Sequence, residues 1–141
     1  MISLVDQLDE GVRRRAVSLL ATAAKQGIVL VVTQAYRTFE EQAKIYAQGR
    51  TRPGRIVTYA PPGFSWHNWR KAFDVAIQVF PGDTTPRDLY DGPWEVVGEM
   101  GEKLGLEWGG HWKVPDLPHF QFTGRASLSS LRAKYPNGLG T

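Results

Sequence analysis

Ser65-Trp66-His67-Asn68-Trp69-Arg70-Lys71-Ala72-Phe73-Asp74-Val75-Ala76-Ile77 divides at Ala72, with aromatic and polar residues crowded before it and alternation after it. Period-two alternation places Phe73, Val75 and Ile77 on one face of a strand and Ala72, Asp74 and Ala76 on the other. The alanines leave open space around Asp74, and an acid buried there without a partner is costly. A cation beside it resolves that cost. His67 stands seven residues before Asp74, across the turn that leads into the strand.

Working outward, Leu4, Leu8, Val12, Ala16, Leu19 and Ala23 recur at three- and four-residue spacing. They describe the apolar face of a helix of about two dozen residues, capped by Ser3 and ended by Gly27. Arg13-Arg14-Arg15 spread around that helix and read as a solvated face. Ile28 to Thr33 is a β-branched run suited to a buried strand. Thr38 with Glu41 matches a capping box, and Gly49 should stop the helix it opens. Gly49 to Gly63, rich in Gly, Pro and Arg, is a surface loop. Downstream the pattern predicts a loop over Pro81 to Gly92 and a helix over Pro93 to Leu104, then strands at Leu106 to Trp108 and His119 to Phe122. Ser127 to Tyr135 closes the chain as a short helix before a frayed tail. Helices around several short strands imply an α+β fold. Without repeats, low-complexity tracts or a linker, residues 1–141 read as a single domain.

Composition narrows the chemistry. A chain of 141 residues matches one core of roughly 100–200 residues. With 42% apolar and 22% charged residues, disordered and collagen-like classes are excluded. The absence of cysteine removes disulfide frameworks, thiol nucleophiles and thiolate metal sites, leaving His and carboxylate as ligands. The longest apolar run, Ile28 to Val32, falls far short of the roughly 18 residues a membrane span needs. Met1 to Glu10 does not read as a signal peptide, so synthesis in the cytoplasm is the expectation. A net charge of +3 favours anionic polymers without selecting among nucleic acid, membrane and cell wall.

Histidine occurs at positions 67, 111 and 119. A catalytic zinc site wants three protein ligands and an open position, and His67, Asp74 and His119 meet that need. A further carboxylate, placed to take a proton from the attacking water and return it to the leaving amine, would be Asp116, held between Pro115 and Pro118. Pattern alone also fits a plainer account, with His67 in a surface loop, Asp74 at a strand edge and His119 as a satisfied interior imidazole. His111, in a Gly-Gly-His-Trp turn, is a competing ligand or a groove residue. Trp66, Trp69, Trp108 and Trp112 could wall a cleft or fill a core, with Trp108 read as structural. Ser65 lacks the nucleophile elbow of a Ser-His-Asp hydrolase. The rival class is a cationic wall- or nucleic-acid-binding module built on Arg50 to Arg55, Arg125, Arg132 and Lys134.

Two separated motifs now matter: Ser65 to Asp74 resembles S-x-H-x-x-G-x-A-x-D, and Asp116-Leu117-Pro118-His119-Phe120 follows it. Together they resemble the zinc peptidases that include bacterial D-Ala-D-Ala carboxypeptidases and the L-alanyl-D-glutamate endopeptidases of phage endolysins. Tyr36-Arg37-Thr38, Glu41-Gln42, Gly49-Arg50 and Trp108-Gly109-Gly110-His111-Trp112 extend the similarity across residues 30 to 122. The resemblance implies a small, mainly antiparallel sheet with flanking helices, like the hedgehog/DD-peptidase fold. It also implies one zinc per chain on His67, Asp74 and His119, with Asp116 as general base and acid and Arg37 polarising the scissile carbonyl or its oxyanion. Ser65, Gln42, Trp112 and His111 are the substrate contacts it suggests.

The substrate so implied is the peptidoglycan stem peptide. Asp-x-Pro-His-Phe after Trp-Gly-Gly-x-Trp looks more like the endopeptidases than the carboxypeptidases, which more often carry Glu and Trp before the last His. The resulting expectation is a monomeric phage endolysin without a separate wall-binding domain. It is made in the host cytoplasm and reaches the wall after holin-dependent release. Weak electrostatic contact with the anionic wall or membrane surface is expected, and specific nucleic-acid binding is not. One departure stands out: Arg70 replaces the family's usual Gly, so the turn is expected to use an ordinary backbone or a different path.

Overall fold

The computed structural model describes residues 3–83 and 91–140. After a 3₁₀ turn at Leu4–Gln7 come α1 (Glu10–Lys25), β1 (Val29–Gln34), α2 (Phe39–Ala47), a 3₁₀ turn at Trp66–Trp69 and β2 (Ala72–Val79). They are followed by α3 (Trp94–Lys103), β3 (Glu107–Trp108), a 3₁₀ turn at Gly109–His111, β4 (His119–Gln121) and α4 (Leu128–Lys134). The four strands form one sheet in the order β1-β2-β4-β3, every neighbouring pair antiparallel. This is the α+β architecture expected, with the pairing order added. Most of the predicted Pro81 to Gly92 loop lies outside the described residues.

Local chemistry sets the boundaries. Thr38 closes a full capping box with Glu41 at the start of α2, and Ser127 caps α4. The predicted first helix is broken in two, because Asp9 spends its carboxylate on Lys71 at 2.7 Å and its amide on the Arg70 carbonyl at 3.0 Å. Those long-range bonds fix the chain between the 3₁₀ turn and α1.

One face of the sheet packs on α1 and α3. Val12, Ala16, Leu19 and Ala23 of α1 and Trp94, Val97 and Met100 of α3 join Phe73, Val75, Ile77 and Phe120 in a single core. Phe73 and Phe120 stack at 5.7 Å between ring centres. Truncating either to alanine would cost about 3–5 kcal/mol. Close approach of α3 requires Gly98, where a Cβ would lie 2.3 Å from the Trp108 ring. Trp108 is buried and donates Nε1–H to the Leu117 carbonyl at 2.8 Å, tying the 109–118 connection to the core. The opposite polarity of β2 follows from its alternation: Asp74 turns away from Phe73 and Val75, paired in register with His119 on β4 and Gln34 on β1.

The turn before β2 departs from expectation. Arg70 adopts φ 62°, ψ 25°, the left-handed conformation, and among the described residues it is the sole non-glycine with positive φ. The path is therefore the one a glycine would take, kept despite the Cβ. Arg70 Nη1 donates to the Gln7 carbonyl at 2.9 Å, and its guanidinium lies 3.9 Å from the Tyr36 ring centre. Those contacts offset a backbone penalty of about 1–2 kcal/mol.

Candidate metal centre and cleft

His67 comes from the 3₁₀ turn that Ser65 caps by accepting the His67 amide at 3.2 Å. Asp74 comes from β2 and His119 from the facing position of β4. Asp74 Oδ1 lies 3.3 Å from His67 Nε2 and 3.3 Å from His119 Nδ1, and the three ligand atoms all lie within 4.8 Å of one another. Four tetrahedral ligands at zinc distances of 2.0–2.1 Å stand roughly 3.3 Å apart. The donor set has the bite of one ion.

The outer nitrogens decide which lone pairs point inward. His67 Nδ1 meets the Ala35 carbonyl at 2.8 Å, and His119 Nε2 meets Gln121 Oε1 at 2.8 Å. Both partners are acceptors, so each outer nitrogen carries the proton and each neutral ring turns its lone pair toward Asp74. Asp74 Oδ1 is buried and has no hydrogen bond of good geometry. Two lone pairs and a carboxylate oxygen facing one another would repel; a cation satisfies all three. Without one, protons must serve. Burial raises the Asp74 pKa, but His119 and His67 outweigh it and hold the carboxyl well below the usual range. Burial lowers the His119 pKa, and Asp74 beside it reverses that into a net rise.

Around this cluster lies a cleft of about 330 Å³ whose lining includes Arg37, Ser65, Trp112 and Asp116. Asp116 Oδ2 is 3.9 Å from His119 Nδ1, beside the cluster and outside the ligand set, with its carboxyl pushed above the ordinary range by burial. Its amide donates to the Gly109 carbonyl at 2.9 Å, which sets the loop carrying it. Arg37 enters from the β1–α2 connection, its amide bonded to the His67 carbonyl at 3.0 Å. Its pKa is lowered by burial, though it remains far above neutrality. Trp112 leans over His119 with 4.9 Å between ring centres and donates Nε1–H to Glu107 at 2.8 Å.

Two residues expected to touch substrate stand elsewhere. Gln42 is fully buried behind Arg37, and His111 is a surface residue outside the cleft, 3.0 Å from Glu102 and 3.9 Å from Glu95 on α3. The glutamates of α3 draw the imidazole outward. Gln121 and Asn68 escaped the sequence reading. Gln121 lies two residues after His119 on one strand, hence on the same face, and Asn68 completes a capping box with Ser65. Both spacings carried the signal.

Fold and donor set together fit the metallopeptidase class. Two family models, each described as D-alanyl-D-alanine carboxypeptidase, match residues 5–89 and 59–122. The chain is 44% identical over 117 residues to the peptidoglycan L-alanyl-D-glutamate endopeptidase CwlK of Bacillus subtilis, covering 78% of this chain and 70% of that protein. Among solved structures, the L-Ala D-Glu endopeptidase ChiX of Serratia marcescens aligns over 94% of this chain and 86% of its own, with TM-score 0.53 and 20% identity. The vancomycin-resistance D,D-pentapeptidase VanY, solved with Zn(II), aligns over 89% of this chain and 78% of its own, with TM-score 0.60 and 16% identity. The chain belongs to the D-alanyl-D-alanine carboxypeptidase family of peptidoglycan metallopeptidases and is an enzyme.

Proposed function

We propose that this enzyme is a zinc-dependent peptidoglycan endopeptidase that hydrolyses the L-alanyl-D-glutamate bond of stem peptides. The carrying observation is the convergence of His67 Nε2, Asp74 Oδ1 and His119 Nδ1, with both outer imidazole nitrogens already committed. One zinc per chain on these atoms would supply Lewis acidity toward water and the scissile carbonyl. The choice of bond is supported by the 44% identity to the Bacillus subtilis endopeptidase.

In this reading Asp116 takes a proton from the attacking water as the new C–O bond forms, then delivers it to the amide nitrogen as the C–N bond breaks. Its raised pKa suits both halves of that exchange. Arg37 holds its guanidinium toward the oxygen that gains charge, a contribution of about 3 kcal/mol in comparable sites. Ser65 fixes the His67 turn, and Trp112 walls the cleft against stem peptide. Residues 1–141 act as one catalytic domain and as a monomer, with the +3 charge favouring the anionic wall. We extend the proposal to host lysis by a phage, with access to the wall following holin action. Among the described residues no helix is long and apolar enough to cross a membrane.

The second reading is a D-Ala-D-Ala carboxypeptidase, favoured by the family models' own description. Digestion of purified peptidoglycan followed by mass analysis separates the two. Endopeptidase action leaves fragments beginning with a free D-glutamate amine, whereas carboxypeptidase action releases free D-alanine. Chelation should stop product formation and added zinc restore it. Cleavage undiminished by chelator would overturn the zinc assignment.

A further inference from the structure

We propose that Gln42 is a positioning residue that holds Arg37 in the cleft without pairing its guanidinium to a carboxylate, an inference that rests on the role given to Arg37 above. The Gln42 side chain is fully buried, so it cannot meet substrate. Its Oε1 accepts from Arg37 Nη1 at 3.0 Å and from Asn68 Nδ2 at 3.4 Å, and its Nε2 donates to the Ala60 carbonyl at 2.7 Å. The second acceptor for Arg37 is Gln34 Oε1, at 3.5 Å. Both are neutral carboxamides. Among the described residues no carboxylate lies within ion-pair distance of this guanidinium, although Glu41 is on the adjoining turn, where its side chain accepts the Thr38 amide at 3.0 Å.

A partly buried guanidinium is commonly fixed by a carboxylate, which also weakens its field. A carboxamide fixes it through a dipole, so the guanidinium feels carboxylates only at longer range, from Asp74, Glu41 and Asp116, and keeps its free N–H groups for an oxyanion. The same amide also reaches structure beyond Arg37. Asn68 Nδ2 donates to the Arg37 carbonyl at 2.9 Å, and Asn68 Oδ1 accepts the Gly63 amide at 3.0 Å. Gln42 therefore ties α2 to the residue 60–63 wall of the cleft and to the turn that carries His67. Its Nε2 is satisfied by Ala60 and its Oε1 by two donors, so the side chain has one orientation.

Three single variants test this, Gln42→Glu, Gln42→Met and Arg37→Ala, together with both Gln42 changes in the Arg37→Ala background. For each, kcat, KM, bound zinc and melting temperature are measured on a purified stem-peptide substrate. Gln42→Glu and Gln42→Met are expected to lower kcat by about 10²-fold, as Arg37→Ala does, while retaining zinc. Neither should lower kcat further once Arg37 is alanine. Equal losses with and without Arg37, or loss of zinc, would overturn the proposal and make Gln42 a structural residue only. So would wild-type kcat in both Gln42 variants beside a crippled Arg37→Ala. Should Arg37→Ala itself keep wild-type kcat, the role of Arg37 fails first and this inference with it. Gln42→Met keeps the side-chain length without adding charge, so the cycle stands if the glutamate variant does not fold.

Discussion

Asp74 and His119 face each other across paired strands, their backbones locked in the sheet, whereas Asp116 and Trp112 hang from the 109–118 connection and stay in touch with solvent. The inner side of the cleft has its geometry set by ladder hydrogen bonds and by imidazoles pinned through Ala35 and Gln121. The outer side is set by a handful of longer-range ties, among them Trp108 to Leu117 and Asp116 to Gly109. Two of the three candidate ligands sit on paired strands, and the third, His67, sits on a 3₁₀ turn that the Ala35 carbonyl pins. The side chains proposed to meet substrate sit on a loop.

The contrast can be broken most severely from the inside. Asp74→Ala should abolish zinc binding and turnover together, and the melting temperature should no longer respond to added zinc. Metal analysis beside a thermal scan reads both, and a variant that kept its zinc would deny the strand-built side its role. A smaller effect is expected outside. Asp116→Asn should retain zinc and reduce kcat by about 10²–10⁴-fold. Because a base works ionised and burial raises the Asp116 pKa, the wild-type rate at saturating zinc should fall as pH drops through that raised value. The asparagine variant should lose this acid limb. The smallest effect belongs to His111→Ala, which removes only surface pairs with Glu102 and Glu95. Activity within about twofold of wild type is expected, and a large drop in kcat would return His111 to the cleft.

Local rules carried much of this architecture. Thr38 and Glu41 announced the start of α2, and Phe73, Val75 and Ile77 announced the buried face of β2, because capping and period-two burial depend on residues close in the chain. The order β1-β2-β4-β3 was not legible, since pairing Asp74 with His119 joins positions 45 apart and nothing near either one specifies the partner. The same distance limit explains Gln42 and His111. Whether a side chain meets substrate depends on what α3 or the residue 60–63 segment brings against it; Glu102 is nine residues from His111 and Ala60 eighteen from Gln42, both beyond the reach of capping or strand alternation. The break between Gln7 and Glu10 was hidden for the same reason, as Asp9 answers to Lys71.

Arg70 makes a single change at its position cut both ways. Substituting glycine would relax the left-handed residue, yet it would also strip the Tyr36 ring of its cation and leave the Gln7 carbonyl without that donor. At this one residue, backbone discomfort and tether strength trade against each other. What would still fasten the Leu4–Gln7 turn is the Tyr36 amide on Gln7 Oε1 at 3.3 Å and, just beyond it, the Asp9–Lys71 pair.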